Sequence, residues 1–284
     1  MPNVSVIIPT HNRPELFSRA IRSVLAQMYQ DFEIIVVDDG MKERAESVVS
    51  ALGDSRIRYI KNETSLGGGG ARNRGIKEAH AEFIAFLDDD DEWLPEKLSV
   101  QMEQFANTPP DVGFCFTGAR IETDDGVDVT TAIEGINDLS TIALLRFKGF
   151  LTTTLIVKRA VFDDIGLFDE SLPSHQEAEL VLRMTRKYKG LGIDRPLVVM
   201  NMHPHDHIGA NPSRRIKGKE LVLKKHAALY AKYPRALAKQ YFWLALWCRD
   251  SRQMEKAKEY FWKAFRLSWS LRYGMHWLLA SYNQ

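Results

Sequence analysis

The chain has 284 residues, 45% of them hydrophobic and 26% charged, with 38 Lys and Arg against 37 Asp and Glu. Length and composition are those of an ordinary globular protein with one large domain or two smaller ones. The net charge of +1 speaks against a nucleic-acid binder that works through bulk positive charge. That total averages two unlike parts, because residues 214–284 hold 16 Lys and Arg and 4 Asp and Glu, a net of +12, and residues 1–213 carry −11. The same tail holds five of the six tryptophans: Trp243, Trp247, Trp262, Trp269 and Trp277.

Val4–Ile8 reads as a buried strand ended by Pro9, and Pro14 opens a helix with Leu16, Ala20, Ile21, Val24 and Leu25 at helical spacing. Phe32–Val37 is a second buried strand ended by Asp38-Asp39-Gly40; a polar helix at 42–52 and a strand at Ile57–Ile60 follow. The run Gly67–Gly70 reads as a flexible lead into a helix over Ala71–Ala79. Phe83–Leu87 is a strand running into Asp88–Asp91, and Pro95 opens a helix over Glu96–Phe105. This alternation predicts a mostly parallel, doubly wound α/β sheet with helices on both faces. Ligands of such sheets bind beyond the carboxyl ends of the strands, where this chain collects its polar residues. Strands are expected at Asp111–Thr117, Thr153–Val157 and Pro196–Met200, and helices at 138–147 and Gln176–Lys187. Residues 214–231 and 235–280 read as helices broken near Tyr233-Pro234 and Asp250-Ser251.

Cys115 and Cys248 are too few for a disulfide scaffold and lack metal spacing, which suits a reducing compartment. No signal peptide is visible, and no apolar stretch reaches the roughly 18–20 residues that span a bilayer. The expectation is a cytoplasmic chain that is soluble or lies on a membrane.

Asp88–Asp91 concentrates negative charge at the edge of a low-dielectric sheet, which is costly unless a cation neutralises it. Hard ions such as Mg²⁺ and Mn²⁺ bind one or two carboxylates together with substrate phosphates. An isolated acidic run is more often a solvated helix cap, but the strand before this one aims it at the ligand rim. Asp38-Asp39-Gly40 can hold a ribose or base edge, although the tripeptide is also an ordinary turn. Gly67–Gly70 lacks the Lys-Ser/Thr of a P-loop and the spacing of the dinucleotide fingerprint, and Arg72 after it is a candidate anion or base contact.

Ser-Val-Ile-Ile-Pro-Thr-His-Asn-Arg-Pro (5–14), Phe-Glu-Ile-Ile-Val-Val-Asp-Asp-Gly (32–40), Ala-Arg-Asn-Arg-Gly-Ile (71–76) and Phe-Leu-Asp-Asp-Asp-Asp-Glu-Trp-Leu-Pro-Glu-Lys-Leu (86–98) together resemble family 2 glycosyltransferases, and residues 165–174 extend the likeness to about 185. The resemblance implies a GT-A fold, Rossmann-like, over 1–213, with a nucleotide-sugar half at about 1–110 and an acceptor half at about 111–213. A basic, aromatic helical extension over 214–284 completes the chain. It further implies a nucleotide-diphosphate sugar donor, a UDP-sugar in the expected case, a glycan or lipid-linked saccharide acceptor, and transfer with inversion. By position, Pro9, His11, Asp39, Arg72, Asp88 and Asp89 fall among nucleotide-sugar contacts, and Asp88 and Asp90 match the family's Asp-x-Asp site for Mn²⁺ or Mg²⁺. Glu177 aligns with the family's general base, an aspartate there, and Glu179 is the alternative. The Trp usual after the base is missing, and the departures at Glu177 and Ala178 leave open a catalytically silent relative that binds a partner through its basic tail. His203, His205 and His207 alternate in a loop, and His205 is the candidate to complete a metal shell.

A nucleotidyltransferase would carry a Gly-rich phosphate loop after its first strand, where this chain has Pro-Thr-His-Asn. The tail has three readings: aromatic packing, docking on an anionic membrane surface, or binding a protein or charged polysaccharide.

Overall fold

The computed structural model describes residues 2–145, 150–202 and 211–282. The chain divides into two units: Met1–Leu139, Lys148–Glu170 and Glu177–His203 form the first, and Ser140–Phe147, Ser171–Gln176 and Pro204–Gln284 the second.

In the first unit, β1 (Val4–Thr10), β2 (Phe32–Asp38), β3 (Ile57–Lys61) and β4 (Phe83–Phe86) pair in parallel in the order β3-β2-β1-β4. The sheet continues through β9 (Ile156–Lys158), β6 (Val112–Thr123), β10 (Lys189–Asn201) and β5 (Asp91–Trp93). β6 and β10 are parallel to each other, whereas β9 and β5 run against their neighbours. Two short strands, β7 (Gly126–Thr130) and β8 (Gly135–Asn137), pair with β6 and β10. The helices are α1 (Pro14–Leu25), α2 (Glu46–Leu52), α3 (Gly67–Glu78), α4 (Lys97–Phe105), α6 (Arg159–Ile165) and α7 (Gln176–Met184), the last with its first residue in the second unit.

Strand alternation divides β1 between two layers. Val4, Val6 and Ile8 share a core with Phe17, Ile21 and Val24 of α1. Ile7 points to the other face, where α3 approaches so closely that a Cβ on Gly75 would lie 2.5 Å from Ile7 Cγ2. Each of these fully buried side chains contributes about 1.5–3 kcal/mol. The α/β sheet with helices on both faces is therefore as expected from the alternation.

Four local expectations are corrected. Pro9 does not end β1, which runs on to Thr10 with Pro9 opposite Val37 of β2. Ile7 accepts from Leu87 on the β4 side, and by alternation Pro9 turns the same way past the end of β4, so its missing N–H costs no ladder bond. The glycine run is not a lead but the first turn of α3, because Asp39 accepts from Leu66 N and Gly67 N at the helix start. The acidic run itself enters a strand, with Asp91–Trp93 paired to Val198–Met200. The helix from 235 has a second break, at Trp269 with φ 52°.

The second unit is helical: α5 (Ser140–Leu145), α8 (Pro212–Lys225), α9 (Ala227–Tyr230), α10 (Pro234–Asp250), α11 (Met254–Ser268) and α12 (Leu271–Tyr282). Asn211 caps α8 by accepting from Arg214 N, and Pro212 and Pro234 occupy the first turns of α8 and α10. Phe242, Leu244, Ala257 and Phe261 are buried. Buried Lys219 donates to Gln240, which donates to the Leu144 carbonyl at 2.5 Å. Among the described residues no helix is long and apolar enough to cross a membrane.

Candidate active site

The carboxyl ends of β1, β2 and β4 bring three polar loops to one rim. Asn12 joins the first two. Its left-handed backbone, φ 54°, suits asparagine, and its Oδ1 accepts from Met41 N, Lys42 N and Glu43 N at 2.8–3.1 Å. Gly40 is required beside it, since a Cβ there would sit 2.7 Å from Asn12 N. His11, half exposed, is held with Nδ1 at 2.8 Å from the Asp39 carbonyl.

Asp39 is buried, and its carboxylate takes four protein donors: Asn62 Nδ2 at 2.8 Å, Ser65 Oγ at 2.7 Å, Leu66 N at 2.7 Å and Gly67 N at 2.9 Å. This fills the lone-pair sites of a carboxylate. A base or ribose can reach it only if one donor gives way. Asp38 is equally committed, accepting from Gly40 N, Ala45 N and the Tyr59 hydroxyl.

The acidic run alternates in exposure: the side chains of Asp88 and Asp90 are 31% and 14% accessible and that of Asp89 is 2%, while Asp91 is buried too. Arg13 Nη2 donates to Asp89 at 2.5 Å and its Nη1 to Asp90 at 3.1 Å. Arg72 Nη2 donates to Asp88 at 2.5 Å, with its guanidinium 5.8 Å from the Phe168 ring centre. Burial opposes the charge on both arginines, yet the neighbouring aspartates hold each pKa above the usual value. Glu177 is among the charges that do so for Arg72, after Asp88, which ties it to the same electrostatic site. Burial pushes the Asp89 carboxyl up to about 6, against the pull of Arg13. Asp91 is raised well above the usual range by burial and then by Asp88 and Asp90.

Among the described residues, Arg72 Nε and Asp91 Oδ2 are buried without a hydrogen-bond partner. An unmet donor beside two outward carboxylates is a cradle that a phosphate or carbonyl oxygen of a ligand would complete. Asp88 and Asp90 present oxygen donors of the hard kind that Mg²⁺ or Mn²⁺ takes. Among the described residues no group of three or more His, Cys, Asp and Glu is placed to hold a metal ion by itself. His203, His205 and His207 lie outside the described residues.

The two candidate bases differ in surroundings. Glu179 is fully buried, and Arg183 grips both of its oxygens at 2.8–3.0 Å while donating to the carbonyls of Ile165, Gly166 and Leu167. Glu177, in the first turn of α7, is partly exposed. Arg13 and Asn12 are site residues that the reading of the sequence missed. Both stand in the quoted segment Thr-His-Asn-Arg-Pro, but which carboxylate an arginine meets 76 positions away is set by the fold alone.

The Glycosyl transferase family 2 model matches residues 5–164. The putative colanic acid biosynthesis glycosyl transferase WcaA of Escherichia coli K12 is 46% identical over 101 residues, 35% of this chain and 36% of that one. The E. coli UDP-Glc:alpha-D-GlcNAc-diphosphoundecaprenol beta-1,3-glucosyltransferase WfaP is 31% identical over 191 residues, 67% of this chain and 72% of that one. The match spans only 31–39% of the length of several other curated relatives. Among solved structures, S. aureus TarS 1–349 superposes with a TM-score of 0.66 at 19% identity, over 99% of this chain and 79% of that one. The mannosyltransferase PcManGT of Pyrobaculum calidifontis, solved with GDP-Man and Mn²⁺, gives 0.56 at 17% identity, over 99% and 84%. These likenesses show that the fold is that of the GT-A proteins.

Proposed function

The chain belongs to glycosyl transferase family 2, and on that footing we propose that it moves a sugar from a UDP-linked donor to a hydroxyl of a lipid-linked glycan, with inversion. The observation that carries this reading is the alternation at the end of β4: Asp88 and Asp90 face outward beside Arg13 and Arg72, and Asp89 and Asp91 face inward. The choice of UDP is supported by a TarS structure solved with UDP-GlcNAc and by the UDP-Glc in the name of WfaP. The lipid-linked acceptor is supported by the diphosphoundecaprenol in that same name.

In this reading Pro9 and His11 form one wall of the nucleoside site. Asp39 meets the base or ribose by releasing the exposed Ser65, whose hydroxyl can rotate away. Arg72 offers its unmet Nε to the donor, and Asp89 keeps Arg13 in place under the diphosphate. Asp88 and Asp90 would hold Mn²⁺ or Mg²⁺, with His205 as a further candidate ligand. The ion, when bound, supplies positive charge opposite the leaving diphosphate. Glu177 takes the proton of the acceptor hydroxyl. The acceptor oxygen bonds to the anomeric carbon as the bond from that carbon to the diphosphate oxygen breaks, and the electron pair leaves with UDP. An acceptor held in a bilayer also suits a catalytic unit joined to a basic helical extension that rests on the inner face of the cytoplasmic membrane.

The test is incubation of the whole chain with a panel of nucleotide sugars, Mn²⁺ and a diphosphate-linked saccharide acceptor, read by mass spectrometry. Transfer from a UDP-sugar that disappears in an Asp88→Ala, Asp90→Ala double variant supports the reading. Full turnover by that variant overturns the metal assignment.

A further inference from the structure

Helix α12 is apolar on two faces. Inward, Tyr273 stacks on Phe242 at 4.4 Å, His276 lies against Phe242 and Phe261, and Trp277 meets Trp262 at 4.7 Å. Outward, Leu271, Met275, Leu278 and Leu279 recur at the spacing of one helix face and are 88%, 60%, 48% and 58% exposed, with Trp269 just before them at 75%. Single exposed apolar residues are ordinary, whereas a contiguous set marks a contact surface. No Asp or Glu occurs between Ser268 and Tyr282, and Arg266 and Arg272 are exposed at either side of the turn. A crevice of about 410 Å³ opens next to this face, lined by Phe261, His276, Leu279 and Ala280 with Arg249 and Met254.

We propose that this face of α12, with Trp269, is where the chain meets an anionic lipid bilayer. The inference rests on the bilayer-held acceptor of the proposed function and names the surface that serves it. The leucines, Met275 and the indole enter the boundary of the acyl chains, Arg266 and Arg272 lie at the level of the lipid phosphates, and the crevice accommodates part of one acyl chain. Charge selects this occupant: a second copy would bring one +12 segment against another, while an anionic leaflet attracts each arginine.

The full chain is tested by co-sedimentation with vesicles of phosphatidylglycerol and phosphatidylcholine, against phosphatidylcholine alone. Binding is expected only with phosphatidylglycerol present and should weaken with added salt. A Leu271→Glu, Leu279→Glu variant should bind at least about tenfold more weakly, and Arg266→Gln, Arg272→Gln also about tenfold more weakly. Both variants should transfer sugar to a water-soluble acceptor at the wild-type rate, which shows that they fold. Wild-type chain that ignores anionic vesicles, or a leucine variant that binds them as well, overturns the proposal. So does a wild-type dimer that the leucine changes dissociate without any vesicle binding. Loss of transfer in the wild type with vesicle binding intact would strike the glycosyl-transfer reading alone.

Discussion

Arg72 Nη2 donates to Asp88 Oδ1 at 2.5 Å, and the first outward carboxylate of the acidic run is thereby already paired with a cation. Arg13 does the same for Asp90 at 3.1 Å. A divalent ion arriving alone competes with both guanidiniums for the same oxygens. A diphosphate bound as proposed would offer those guanidiniums other anions and free the carboxylates.

The first prediction follows from that competition. Mn²⁺ should bind the protein weakly by itself and at least about tenfold more tightly with UDP present, a coupling of about 1.4 kcal/mol that must be reciprocal. Calorimetric titration of Mn²⁺ with and without UDP reads it directly. Equal affinities would mean that the arginines do not compete.

Glu177 and Glu179 should separate cleanly under the same substitution. Glu177→Gln removes the proposed proton acceptor and should lower kcat by about 10²–10⁴ with little change in Tm. Glu179→Gln takes the charge from a fully buried carboxylate whose partner, Arg183, is 18% accessible, and should cost about 1.5–3 kcal/mol of stability. Thermal melts and single-turnover assays on the two variants give the comparison. A kinetic collapse confined to Glu179→Gln in a fully folded protein would reverse the roles.

His175, in the second unit, carries a pH prediction. Burial, and then the charges of Lys219 and Arg215, push its pKa down to about 3 from the ordinary 6.5. Between those values the unfolded chain binds a proton that the folded chain does not. Stability from this group is therefore complete above pH 6.5 and is lost as pH falls toward 3, at up to about 1.4 kcal/mol per pH unit. His175→Asn keeps a residue that tolerates the left-handed φ of 63°. Denaturant melts from pH 7 to pH 4 should show a shallower acid limb for the variant. Parallel curves for the two proteins would contradict the assignment.

The strands and helices around the rim were legible because their signals are local: β-branched runs of five or six residues, Pro14 at a helix start, aspartates after strand ends. What escaped was set by partners distant in sequence. The glycine run became helical because Asp39, 27 and 28 positions earlier, accepts from the N–H groups of its first turn. Asp91 entered a strand because β10 pairs with it from more than a hundred residues away. β7 is the exception, since Asp124-Asp125-Gly126 between Thr123 and Val127 is a turn signal present in the sequence itself, and the turn falls at Asp124-Asp125 with Gly126 opposite Thr123. At the site, the motifs marked the outward aspartates and Glu177. They did not reveal that Asp39 is saturated, that Arg13 bridges Asp89 and Asp90, or that Arg183 encloses Glu179, because each depends on which loops the sheet order sets side by side.

Sugar transfer from a UDP donor with Glu177 as the base is read out by a paired mass-spectrometric transfer assay on the whole wild-type chain and on Glu177→Gln. Both are given Mn²⁺, a UDP-sugar panel and a diphosphate-linked saccharide acceptor. The wild type should yield an acceptor heavier by one sugar and an equal amount of UDP, and the variant should do so at a rate about 10²–10⁴ lower. A variant that transfers as fast as the wild type, or a wild type that binds UDP and Mn²⁺ tightly yet transfers from no donor, would contradict this mechanism.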